Sequence, residues 1–280
     1  MHNSIRENLT KEDIISEIKL CMSGDVYKKN VYVLLEGSDD IKFIKRFVSD
    51  NVYLFESYSG RDGVFKIIED YFYGNNHVIA IVDRDYISDN SVPSIFYYDY
   101  NSLEIMMANN DMVFESIYAE FYLGSKSVYE LKTYIISQLV GLGIYRKINA
   151  MYCKGINFEG LAFGKIDTNQ RGICNYLIYK ELDKLNAYKL DTKVDIKEIL
   201  NEVACWQGDY DSNLFILRGH DFTRYLAYLC THKKGKSYGS DIIEKTMRCT
   251  FRREHFEETE IAQTLFRYQQ EKALSILAAV

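Results

Sequence analysis

The chain has 280 residues, 47% hydrophobic and 26% charged, with a formal net charge of −6 and a pI near 5.5. That composition excludes a disordered chain, and the length allows one large domain or two modest ones, either able to bury a core. The acidic balance excludes a global basic field, so a polyanionic partner has to be met by a local basic patch, a bound metal or a second protein.

Residues 9–23 open with Thr10 and Asp13 at capping-box spacing, and Ile14, Ile15, Ile18 and Cys21 then recur at helical spacing until Gly24 ends the helix. A first strand follows at 31–36, after which Asp39 or Asp40 caps a helix to about 49 with Ile41, Ile44, Phe47 and Val48 inward. A second strand covers 52–57, the SGRDG turn leads into a helix from Val64 to Phe72, and a third strand covers 78–83. A short strand at 94–99 follows Pro93. This order predicts a small parallel α/β sheet flanked by helices.

After about residue 101 the texture becomes helical. Helices are expected over 101–109, 112–123 and 126–141. A Gly-rich patch at 141–164 reads as loop or short strand, and helices then fill 170–183, 194–203, 221–232, 240–249 and 257–278. The division predicted is an α/β domain at 1–110, with its core at 28–100, and a mostly helical domain at 111–280 for substrate or partner recognition. The apolar ending ALSILAAV suits either a subunit interface, as in a homodimer, or closure of the chain's own core.

The six cysteines stand at 21, 153, 174, 205, 230 and 249, with neither CxxC pairs nor zinc spacing, which predicts reduced thiols in a cytoplasmic protein. No apolar run reaches the 18 or so residues of a membrane span, so no membrane partner is expected.

The most informative feature is the way two apolar strands end. VYVLLEGSDD stops at Glu36 and Gly37 with Asp39 and Asp40 behind, and VIAIVDRDY stops at Asp83 and Asp85. Parallel strands are buried on both faces and read as continuous Val/Ile/Leu runs, and ligands of open α/β sheets gather at their carboxyl ends. Acids crowded there are costly unless a cation offsets them, and an all-oxygen donor set suits Mg²⁺ or Mn²⁺, as one or two ions.

The pairing of Glu36, Gly37 and Asp40 in EGSDD with Asp83 and Asp85 in VDRDY resembles the TOPRIM domain shared by topoisomerases, primases and OLD-family nucleases. The resemblance covers about residues 28–100 and implies a TOPRIM-like Rossmannoid sheet. Two further pieces, Glu104 in YDYNSLEIMM and His220 in RGHDF, look like a bacterial TOPRIM-like family that includes the toxin nucleases of PARIS-type phage-defence systems. That family is partnered with ABC-type ATPases. The resemblance implies a toxic effector, released from its ATPase sensor, that cleaves host tRNA. OLD-type nucleases carry a late lysine, and His220 stands here instead. An OLD-like DNA nuclease and a non-catalytic docking module are the competing expectations.

In the expected chemistry Asp83 and Asp85 bind one metal ion, Glu36 shares that ion or acts as general base, and Asp40 and Glu104 are further ligands. His220 donates a proton to the leaving oxygen. Cleavage by hydrolysis or by transesterification through a tyrosine both fit, and no tyrosine is marked out for the second. Arg84, Lys233, Lys234 and Lys236 are the candidate nucleic-acid contacts. Plainer roles exist for several of these residues. Asp39 and Asp221 read as helix N-caps, Glu104 as a first-turn acid, Arg84 as an offset to the acids, and the run His232–Lys236 as a solvated face.

Overall fold

The structure, a computed structural model, describes residues 9–87, 92–187, 196–231 and 238–278. It is α/β, with a four-stranded parallel sheet flanked by helices and a helical C-terminal half. Lys233, Lys234 and Lys236 lie outside the described residues. Among the described residues no helix is long and apolar enough to cross a membrane, and all six cysteines are free.

The chain forms two compact units, Met1–Asp99 with Arg252–Val280, and Tyr100–Phe251. Residues 252–278 therefore belong with the α/β unit and not with the helical one, which differs from the division expected at 110.

In the first unit the strands are β1 (Val31–Leu35), β2 (Val52–Glu56), β3 (Val78–Val82) and β4 (Ile95–Tyr97), in the order β2-β1-β3-β4, all parallel. Every residue of β1 and β3 is buried, as continuous apolar runs require of central parallel strands. Their side chains alternate. Tyr32, Leu34, Val78, Ala80 and Val82 pack with Ile14, Ile15 and Ile18 of α1 (Lys11–Gly24) and Val64, Ile67 and Ile68 of α3 (Gly60–Tyr71). On the opposite face, Phe43 of α2 (Ser38–Ile44) meets Tyr98 and Phe256 edge-on. Thr10 and Asp13 close the capping box on α1 as expected.

The C-terminal stretch is not one helix. Helix Arg253–Glu257 ends before Thr259, whose hydroxyl caps a second helix, Glu260–Lys272. Ala273 then takes a left-handed conformation (φ 54°) and the chain turns extended. Ser49 N–H donates to the Ile276 carbonyl at 2.8 Å, Ala278 N–H donates to the Phe47 carbonyl at 2.9 Å, and Ile276 is fully buried. The apolar tail thus packs into its own unit.

The second unit holds α4 (Leu103–Asn109), α5 (Asp111–Phe121), α6 (Val128–Met151), α7 (Phe163–Ile166), α8 (Asn175–Asn186), α9 (Ile196–Cys205), α10 (Tyr210–Leu214), α11 (Gly219–Cys230) and α12 (Ser240–Thr250). Glycine at 141 and 143 predicted a break, yet α6 runs through both. A Cβ on Gly143 would lie 2.6 Å from the Ile216 carbonyl oxygen, so the glycine is kept for close approach of two backbones. Gly143→Ala gains about 1 kcal/mol of helix propensity but forces the backbones apart, at about 1–3 kcal/mol for overpacking. The expected outcome is net destabilisation, measured by denaturant unfolding with Trp206, the chain's single tryptophan, as the fluorescent reporter.

Candidate functional site

The register of the sheet brings the acids of the first unit together. Leu35 pairs with Ile81, so Glu36 leaves β1 beside the end of β3. Its Oε1 accepts the backbone N–H of Asp83 at 2.7 Å. Asp40 lies in the first turn of α2, and Asp85 two residues past Asp83.

Burial raises the Glu36 carboxyl most. The Asp83 N–H bond opposes that, the charges of Asp40 and Asp85 raise it further and Arg61 lowers it, leaving it at about 7 against an ordinary 4.5. Tyr98, fully buried just after β4, is pushed well above its usual range by burial and then by the charges of Asp40 and Asp83. At the sheet's carboxyl end the charges of Asp40 and Asp85 therefore act on Glu36, which the Asp83 amide bonds, and the charges of Asp40 and Asp83 act on Tyr98.

Arg61 is the cation of this group. Its Nη1 lies 3.3 Å from Asp85 Oδ2 and donates to the backbone carbonyls of Arg84 and Asp85. Asp85 and Tyr86 have φ of 42° and 74°, so the chain turns sharply through left-handed conformations after β3. Such backbone is costly for a tyrosine and clusters at functional sites. Arg84 itself lies over the Tyr97 ring, 5.3 Å from its centre, and its charge acts on Asp99. Asp39 does not cap α2, whose N-cap is Gly37; it forms an ion pair with Lys42 at 2.7 Å.

Glu104 and His220 belong to the second unit, where they form a group with Glu244. His220 Nδ1 lies 3.2 Å from Glu244 Oε1 and 3.9 Å from Glu104 Oε1. Its pKa is raised, first by the Glu244 bond against the opposing effect of burial, then by the charges of Glu104 and Glu244, with Arg218 pulling it down. Burial would raise Glu244, but the bonds from His220 and Thr223 outweigh it and hold that carboxyl below its usual range. Gly219 explains the Gly-His spacing: a Cβ there would collide with the Glu104 carboxylate and the Ser102 hydroxyl, so only glycine lets α11 start against α4.

Asp221 is not a helix cap. Arg218 holds that position, and the Asp221 carboxylate is buried in a two-bond ion pair with Arg146. Sequence reasoning missed Arg61, Tyr98 and Glu244. None of the three carries a spacing signal, since packing alone brings each to its partners.

The carboxylate-only donor chemistry of the first group suits a hard divalent cation. Among the described residues, however, no set of three or more His, Cys, Asp and Glu side chains is gathered to hold a metal ion as they stand. Arg61 is what already offsets Asp85. No protein-family model matches the chain, and no curated protein matches it.

Proposed function

We propose that the chain is a Mg²⁺-dependent TOPRIM-type nuclease, the toxic effector of an anti-phage system, that cleaves host tRNA when an ABC-type ATPase releases it. The observation that carries this reading is the bond from Asp83 N–H to Glu36 Oε1, which joins the two acidic strand ends.

Asp83, Asp85 and Asp40 are the residues that would hold the ion. A bound divalent cation neutralises charge on the scissile phosphate and activates water. Glu36 acts as the base. Its Oε1 is taken by the Asp83 amide, so Oε2 receives the proton of the attacking water. A carboxyl titrating near 7 suits that task at cellular pH.

One observation favours a second reading, the non-catalytic docking module: Arg61 neutralises Asp85 from within the chain. A cleavage assay separates the readings. Purified protein with Mg²⁺ is incubated with host tRNA or supercoiled plasmid, with and without chelator. The expected result is cut tRNA, intact plasmid and no product with chelator. Cutting of plasmid alone identifies the OLD-like DNA nuclease. No cutting of either, together with Glu36→Ala cells that keep every phenotype, identifies the docking module.

A further inference from the structure

The C-terminal segment of the first unit encloses a cavity of about 750 Å³. Small-molecule sites span about 300–1,000 Å³ and are mostly apolar, with a few placed polar groups. Helix Glu260–Lys272 presents two stripes. Ile261, Leu265 and Tyr268 are buried in the unit, while Ala262, Phe266 and Gln269 recur one turn apart along the cavity wall. Phe47 and Phe256, stacked in parallel at 4.3 Å, form another wall, and Leu274 and Leu277 of the extended tail a third. Phe266 keeps 49% of its surface exposed.

The charged residues of the lining are Arg253, Arg267 and Glu257. Arg253 and Glu257 stand at the spacing of a helical ion pair. Among the described residues, however, none of the three has an ion-pair partner within 4.0 Å. Arg253 Nη1 donates to the Ala278 carbonyl at 2.9 Å, and Arg267 Nη2 to the Thr264 hydroxyl at 3.2 Å. Two guanidiniums against one carboxylate leave the lining net positive in a protein of net charge −6. The neutral polar groups are already engaged. Gln269 Oε1 accepts the Ile276 and Leu277 amides at 3.0 Å, Gln263 donates to the Glu258 carbonyl, and the Ser275 hydroxyl meets that of Ser49. The walls therefore offer a ligand hydrocarbon contacts along its body and guanidinium donors for an anionic end. Glu257 disfavours a second negative charge, so a carboxylate fits better than a phosphate monoester, which carries about −1.5 to −2.

We propose that this cavity binds a free aliphatic carboxylate, its chain against Phe47, Phe256, Phe266 and Leu277 and its anionic end met by Arg253 and Arg267. The site goes beyond the nuclease reading and does not rest on it. Arg253 and Gln269 also hold the tail through Ala278, Ile276 and Leu277, so an occupied cavity fastens the tail to the unit.

Calorimetric titration of the full chain with decanoate, below its micellar concentration, tests this against decanol and acetate. Decanoate is expected to bind at a single site, decanol about tenfold more weakly, the scale of a hydrogen-bonded charge, and acetate not at all. Arg267→Gln, at an exposed position, is expected to weaken decanoate about tenfold and leave decanol unchanged. Phe266→Ser is expected to weaken both about tenfold. Decanoate should also slow hydrogen exchange at the Ile276 and Ala278 amides. Absent decanoate binding, equally tight decanol binding, or binding indifferent to both variants overturns the proposal. A dimer that Phe266→Ser converts to monomer while decanoate has no effect also overturns it, and makes this face a subunit contact. Capture by phosphatidylglycerol vesicles without binding of free decanoate overturns it in favour of a membrane contact. The comparison of decanoate with decanol uses the wild-type protein alone, so a variant that fails to fold does not block the test.

Discussion

Glu36→Gln is expected to lose about 10²–10⁴-fold of the cleavage rate, the usual contribution of a general base, while making the metal-free protein more stable above neutral pH. The two effects have one cause. The Glu36 carboxyl titrates near 7 in the folded chain and near 4.5 when exposed. Between those values the folded state holds a proton that the unfolded state has lost. Stability therefore falls as pH rises through that window, and the full loss is present above about 7. The magnitude is on the order of 3 kcal/mol at most, and less to the extent that water reaches the partly exposed side chain.

Glutamine keeps the shape and still accepts the Asp83 N–H, but carries no charge at any pH. The wild-type protein, held in chelator, should therefore lose protection of its β1 and β3 amides to hydrogen exchange between pH 5 and pH 8. Glu36→Gln should show a flatter profile and slower exchange at pH 8. Mg²⁺ should restore the wild-type protein at pH 8, because a cation removes the repulsion from Asp40 and Asp85 that contributes to the shift. A Glu36→Gln protein that is both inactive and less stable at pH 8 would count against this account, since it would make Glu36 a packing residue.

The parts of the fold legible in the sequence are those whose physics is local. Val31–Leu35 and Val78–Val82 read as strands because central parallel strands are apolar on both faces, and α1 because Thr10 and Asp13 announce its start. That Glu36 and Asp83 meet was legible because each directly follows an apolar run that reads as a central parallel strand. What stayed hidden depends on distant partners. Gly143 reads as a helix breaker until Ile216 is seen against it. The tail at 274–278 reads as helix until its hydrogen bonds to Phe47 and Ser49 are known. Arg61 lies in a segment that reads only as a turn, and Glu244 on an amphipathic helix where one acid looks like any other. Asp221 shows the same limit. Its place near a helix start suggested a cap, and only the fold supplies Arg146.

That pair carries the largest stability effect expected in the second unit. Arg146 Nε and Nη2 reach the two Asp221 oxygens at 2.5 and 2.9 Å, and the guanidinium lies over the Phe158 ring at 4.2 Å. The side chains are 12% and 7% exposed, so removing the carboxylate strands a cation away from water. Breaking such a pair from one side costs about 3–5 kcal/mol. Asp221→Ala is expected to cost that much, and Asp221→Asn less, because an amide still accepts one bond. Replacing both partners with apolar residues of similar size, Arg146→Met with Asp221→Leu, removes the desolvation of both charges together and is expected to come out near wild type or above it. The pair's worth as an interaction is then far smaller than the cost of breaking it. Denaturant unfolding of the wild type, Arg146→Met, Asp221→Leu and the double variant, followed by Trp206 fluorescence, closes the cycle. Trp206 is anchored in the same unit by its Nε1–H bond to Asn213 Oδ1 at 2.9 Å. A cost below about 1 kcal/mol for Asp221→Ala would place the pair with solvent-exposed bridges and contradict its burial.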